Sequence, residues 1–210
     1  MKFRRLVIAL GIALSGAACQ RATPSPPGAL EPANVRPAGA VGAEAPKTSL
    51  YDLPLALTDQ DGRGIGLDVF RGHPVVISMI YTRCGYACPT LISDIKRLER
   101  SLASKVRDDL RVLLVSIDPE RDTPERLKAV AVERKLDERR WRLTRAEGEQ
   151  VRELAAVLGL KYRKLENGEF NHSSVIALLD RTGVVTERVE GLSQPLDVLE
   201  DRVRAVFATR

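Results

Sequence analysis

An apolar run from Pro74 to Tyr81 (Pro-Val-Val-Ile-Ser-Met-Ile-Tyr) stops two residues short of a cysteine pair, Cys84 and Cys88, with Pro89 directly behind. A run of that kind reads as a strand buried on both faces, the type that parallel sheets use. Burying both faces takes helices on both sides, so the chain must build a layered α/β fold around this strand. The same strand delivers two thiols to one edge of a rigid sheet. Residues four apart share a face on a helical turn, with Cβ atoms about 5–6 Å apart. Thiols that close can join as a disulfide or grip one soft metal ion together.

The surrounding pattern fills in the fold. Alternation over Tyr51 to Thr58, followed by the turn cluster Asp59 to Gly64, predicts an N-terminal hairpin. Leu91, Ile92, Ile95, Leu98 and Leu102 recur at helical spacing, predicting a helix from Thr90 to Ser104 behind Pro89. Arg111 to Ile117 is a second central strand. Asp122 or Thr123 caps the next helix, with Pro124 in its first turn and Glu125 as the capping-box acid, running to Glu133. Trp141 to Leu143 reads as a short strand, and Glu147 to Leu158 as a helix stopped by Gly159. His172 to Leu179 is a third apolar strand, joined by the turn Asp180 to Gly183 to a partner at Val184 to Val189. Leu196 to Phe207 closes the chain as a helix. The fold class is therefore α/β: a thioredoxin-like central sheet flanked by helices, with an N-terminal hairpin and an inserted helix and strand. The cysteines fall behind the first strand of the βαβ unit, at the edge where such sheets hold ligands.

The N-terminus carries an appendage. Lys2, Arg4 and Arg5 precede an apolar stretch from Leu6 to Ala18 that ends in small residues. Thirteen residues fall short of the roughly 20 a bilayer span takes, and the arrangement reads as a secretory signal over 1–18. Leu14-Ser15-Gly16-Ala17-Ala18-Cys19 resembles a bacterial lipoprotein cleavage site, which makes Cys19 the expected lipidation position and a lipid anchor the expected membrane contact. Residues 19–47 hold Pro24, Pro26, Pro27, Pro32, Pro37 and Pro46 with no apolar period, the composition of a semi-extended tether. The folded domain is expected over 48–210, on the periplasmic side of a bacterial cell envelope.

Three of the formal net charge of +5 belong to Lys2, Arg4 and Arg5, so the mature chain is only weakly basic. Aromatics make up 4% of the chain and no basic stripe is interleaved with them, which argues against nucleic acid as a partner. With Cys19 lipidated, the folded domain keeps only the close pair. A disulfide there closes too short a loop to stabilise much, so the pair is better explained by chemistry than by stapling. A helix N-terminus beside a thiol lowers its pKa and favours thiolate.

Only two histidines are available, His73 and His172. His73 precedes the first strand and lies at its far end, where it reads as a solvated turn residue. His172 begins a strand at a loop exit, and spacing alone leaves open whether it joins the thiols. Two thiolates and one imidazole make an incomplete zinc site but a satisfactory three-coordinate site for Cu(I).

Three segments carry a family resemblance: Tyr81-Thr82-Arg83-Cys84-Gly85-Tyr86-Ala87-Cys88-Pro89-Thr90, then Ser116-Ile117-Asp118-Pro119-Glu120-Arg121-Asp122-Thr123-Pro124-Glu125, then Asn171-His172-Ser173. In that order they resemble the Sco/SenC family of membrane-tethered, thioredoxin-fold copper proteins, over roughly Leu53 to Phe207. The resemblance implies Cys84, Cys88 and His172 as copper ligands, with Cu(I) or Cu(II) as cargo. It also implies a metallochaperone that serves the dinuclear copper site of cytochrome c oxidase, with a copper-accepting oxidase subunit as partner. Two positions depart from the family's pattern. Gly85-Tyr86-Ala87 lacks an acidic residue between the cysteines, and Asn171 stands where Asp usually precedes the histidine. Those losses are expected to weaken Cu(II) binding more than Cu(I) binding. The alternative is a thiol–disulfide oxidoreductase, with Cys84 and Cys88 as its redox pair, that reduces the target's cysteines. A peroxidase is disfavoured, because Tyr81 occupies the position where such sites carry Thr and Thr82 is one step off. Asp118 and Asp122 read as strand-end and cap residues lying near the site. The charged stretch Glu133 to Arg140 reads as a solvated face.

Overall fold

The computed structural model describes residues 49–209. The expected signal, the lipidation position Cys19 and the tether lie outside the described residues. The central strand β3 (Val75–Ile80) is buried along its whole length, as its unbroken apolar sequence requires. On one side it pairs in parallel with β4 (Arg111–Ser116), in a register running from Val75 opposite Arg111 to Ile80 opposite Ser116. On the other side it pairs antiparallel with β8 (Val175–Leu179), which turns into β9 (Val185–Glu190). Outward from β4 come β5 (Trp141–Arg145), parallel to it, and then the antiparallel hairpin β1 (Leu57–Asp59) and β2 (Gly64–Ile65). The sheet order is β2-β1-β5-β4-β3-β8-β9. Parallel central strands joined through a helix, followed by an antiparallel hairpin and a helix, make the thioredoxin-like arrangement expected from the sequence.

Helices cover the sheet with their apolar stripes. The first helix, α1 (Ala87–Ser101), buries Leu91, Ile92, Ile95 and Leu98. A short α2 (Ser104–Asp109), absent from the sequence-based expectation, leads into β4. Next, α3 (Pro124–Glu133) packs against β5. It is capped by Thr123, whose Oγ1 accepts the Arg126 N–H at 3.4 Å. Arg126, not an acid, holds the third helical position, so the capping box does not form. Then α4 (Gly148–Leu158) ends on Gly159 in the left-handed conformation. The last helix, α5 (Asp197–Ala208), buries Leu199, Val203 and Val206.

Four expectations are adjusted. The N-terminal alternation at Tyr51 is a 3-10 turn over Leu50–Asp52, and the strand begins at Leu57 because Tyr51 is buried against the core. The segment expected as one strand from His172 to Leu179 is two: β7 (Phe170–His172) belongs to a separate ribbon with β6 (Tyr162–Lys164), and β8 starts at Val175. The stretch Glu133 to Arg140 is not wholly solvated. Leu136 is buried, and Arg140 pairs with the buried Glu99, which also accepts the Trp141 Nε1–H at 3.1 Å. His73 is not a free turn residue either, since its Nδ1 lies 2.7 Å from Asp109 Oδ1.

The β8–β9 turn is packed against the chain's first described residues. Gly183 has φ +89°, and a Cβ there would lie 2.6 Å from Ser49 Oγ and from the Tyr51 ring. We expect Gly183→Ala to cost about 1–3 kcal/mol through backbone strain and this clash, read as a lower urea midpoint with unchanged slope.

Candidate metal centre

The site is built where β3 ends. Tyr81, Thr82 and Arg83 turn the chain into Cys84, and α1 begins at Ala87. Cys88 is therefore inside the first helical turn, and the helix starts ahead of Pro89, not behind it at Thr90 as expected. Proline is tolerated there because first-turn amides have no intrahelical acceptor. One of those amides finds a sulfur: the Cys88 N–H donates to Cys84 Sγ at 3.2 Å. Cys84 is half-buried and Cys88 is buried, and both are free thiols.

A carboxylate holds this loop from beneath. Asp122 is fully buried and accepts from the Thr82 N–H (3.0 Å), the Thr82 hydroxyl (2.6 Å) and the Ser116 hydroxyl (2.6 Å). Ser116 in turn accepts the Asp118 N–H at 2.9 Å. Asp122 is thus neither helix cap nor ligand; it ties the end of β4 to the cysteine loop. Asp118 is buried at the strand end, as expected, with Arg121 against its carboxylate at 3.3 Å.

His172 arrives from the ribbon. It ends β7, opposite Tyr162 of β6. Three contacts dock the ribbon's turn onto the cysteine loop. The Tyr81 hydroxyl donates to Glu169 Oε2 at 3.0 Å, Arg83 donates to the Gly168 carbonyl at 2.8 Å, and the Tyr81 ring meets His172 edge-on with centroids 5.7 Å apart. Sequence spacing contains no signal for these partners, because they are 85 or more residues from the loop they hold. The His172 Nδ1 lies 2.9 Å from the Ser173 carbonyl, which can only accept, so Nδ1 is held as a donor and Nε2 is the ring nitrogen left for another partner.

The result is convergence: ligand atoms of Cys84, Cys88 and His172 all lie within 4.8 Å of one another. Ligands about 2.3 Å (sulfur) and 2.0 Å (ring nitrogen) from one ion stand at most about 4.6 Å apart, so this cluster closes on a metal with small adjustments. Two sulfurs and one nitrogen suit a soft ion with a low coordination number.

The thiols are not equivalent. The Cys88 thiol, the Cys88 and Tyr86 backbone N–H groups and the His172 ring pull the Cys84 thiol down to about 4, against burial. Cys88 moves up, pushed by the Cys84 sulfur it donates to, by burial and by the Asp122 charge. The pair therefore holds one negative charge at neutral pH, on the exposed member. Burial and the bond to Glu169 raise the Tyr81 phenol, which keeps it a donor.

A family model described as SCO1/SenC matches residues 43–207. The SCO1 protein homolog of Bacillus subtilis is 27% identical over 156 residues, covering 72% of this chain and 80% of that protein. A SCO1/SenC family lipoprotein from Bacillus anthracis superposes with a TM-score of 0.67 at 25% identity, over 75% of this chain and 95% of its own. Bradyrhizobium japonicum ScoI with copper bound superposes at 0.62 and 23% identity, over 73% and 98%.

With the thiolate on Cys84, iodoacetamide is expected to alkylate Cys84 well before Cys88 in the reduced, metal-free protein. Because the pKa is lowered, the fast rate should persist downward from pH 7 and halve only near about pH 4. Mass-mapped rates against pH check this, and preferential labelling of Cys88 would contradict the assignment.

Proposed function

The chain belongs to the SCO1/SenC family, and from that membership and the three converging ligands we propose that it is a copper metallochaperone of the bacterial cell envelope. Copper is its cargo, held by Cys84, Cys88 and His172, and the recipient is the subunit that carries the dinuclear copper site of cytochrome c oxidase. The observation that carries this reading is the cluster of two sulfurs and an imidazole within 4.8 Å. Copper bound to Bradyrhizobium ScoI supports the choice of metal. Transfer by ligand exchange fits the burial pattern: Cys84 and His172 are half-exposed and Cys88 is buried. An incoming acceptor thiolate meets copper from the exposed side, displaces those two ligands first, and Cys88 lets go last. Neutral Gly85, Tyr86, Ala87 and Asn171 add no charge around the site, which favours the monovalent ion.

A second reading is favoured by the asymmetry of the thiols. The Cys84 thiolate would attack a disulfide in the target and release one target thiolate. Cys88 would then resolve the mixed disulfide, leaving the target dithiol and a Cys84–Cys88 disulfide. That chemistry needs no imidazole. In a Cu(I) competition titration, Cys84→Ser, Cys88→Ser and His172→Ala should each lower affinity by at least about a hundredfold, beyond the usual effect of an outer-shell change. Full affinity in His172→Ala, with intact disulfide turnover, would leave only the redox reading.

The membrane attachment proposed here rests on the sequence around Cys19, and the lipoprotein from Bacillus anthracis supports it. Among the described residues no helix is long and apolar enough to cross a membrane. Mass spectrometry of the membrane fraction should find a mature chain beginning at diacylated Cys19; an unmodified start elsewhere would remove the anchor.

A further inference from the structure

A cavity of about 490 Å³ opens beside the metal centre, where β4 and β5 end and α4 begins. That volume falls in the range of sites for a small organic ligand or a short peptide, well above what a single ion needs. Arg145, Arg152 and Arg163 line it, and among the described residues none of the three side chains has an ion-pair or hydrogen-bond partner. Lys164 is already taken by Glu120 at 2.9 Å. Glu147, the N-cap residue of α4, makes no side-chain cap, so the helix presents its first amides unshielded at the cleft. The space beside Gly148 at that end is open, since a Cβ there would meet nothing within 4 Å. The same lining holds three carboxylates: Asp118 faces Arg121, Glu120 faces Lys164, and Glu147 is left against three guanidiniums, so the concavity keeps a net positive charge and planar donor pairs that match carboxylates.

The cleft is joined to the copper ligands through its wall. Phe170 lines the cavity and packs on Tyr81 with centroids 5.3 Å apart, and Tyr81 also meets His172 at 5.7 Å. Whatever occupies the cleft therefore sits two rings from a metal ligand.

We propose that this cleft docks an acidic segment of the copper-accepting protein, the carboxylates pairing with Arg145, Arg152 and Arg163 while the acceptor's own ligands approach Cys84. The proposal rests on the metallochaperone reading for the partner's identity, and on the cleft's own charge and position for its chemistry. Steering by opposite charge beside the transfer site raises encounter rates and sets orientation.

The test uses the full chain loaded with Cu(I) and a fluorescein-labelled hexaglutamate peptide, followed by polarisation at low ionic strength. Saturable binding is expected, weakened about tenfold in Arg152→Glu/Arg163→Glu through loss of charge-assisted bonds. The matched control Arg100→Glu/Lys105→Glu makes the same charge change at the far end of α1, a helix about 22 Å long, and at the start of α2 behind it; it should retain binding. Equal loss in both double variants would reduce the effect to net charge and overturn the proposal. So would binding of citrate by calorimetry with no binding of the peptide, which would make the cleft a small-anion site. Cu(I) competition on the same variants should match wild type, so a failure of docking and a failure of copper binding are read separately.

Discussion

Tyr81 stands where the sheet, the cysteine helix and the histidine ribbon meet, and its contacts help hold the three candidate ligand residues together. Its backbone N–H donates to Cys88 Sγ at 3.5 Å, its hydroxyl reaches Glu169 in the ribbon turn, and its ring contacts both Phe170 and His172. The residue can do this because it directly follows β3, a strand buried along its whole length. Rigidity at that position passes into the geometry of the site: a shift of β3 relative to the ribbon would move the imidazole away from both sulfurs together.

Electrostatics then divides the labour within the pair. Cys84 sits outside α1 and takes an amide from its first turn, so negative charge settles there. Cys88 faces the buried carboxylate of Asp122, which works against a second negative charge. Asp122 itself is held by three hydrogen bonds from Thr82 and Ser116, so its charge is compensated by donors without a cation. A metal ion held by Cys84 and Cys88 would take the place of the proton on Cys88, and on the proposed reading its release would restore the asymmetric pair. The same asymmetry serves metal exchange and disulfide exchange, and His172 is the group that distinguishes them.

The basic cleft extends this logic beyond the ligands. On the proposed reading, copper transfer would require the acceptor to arrive in one orientation, and the half-exposed sulfur alone would provide little to orient it. Arg145, Arg152 and Arg163 come from β5, α4 and β6, elements whose positions the sheet and ribbon already determine. Their charges therefore stand in a defined relation to His172.

Much of the fold was legible in the chain. Strand β3 and its apolar run, the stripe of α1, the Gly159 stop and the Asp180 to Gly183 turn all follow from local period and backbone chemistry, which depend on neighbours in sequence. Cys84 and Cys88 were legible for the same reason, being four residues apart. His172 entered as a ligand only through family resemblance, and its strand was misjudged because apolar run and ribbon are continuous in sequence while Ser173 and Ser174 break them in space. Asp122 looked like a cap because its role depends on Thr82, 40 residues away. Arg140 looked solvated because its partner Glu99 lies on another element. The sequence by itself determined the elements and the dithiol, through interactions a few residues long. Only the tertiary structure decided that the imidazole and the holding carboxylate share that dithiol's surroundings, because folding alone brings such distant segments within bonding reach.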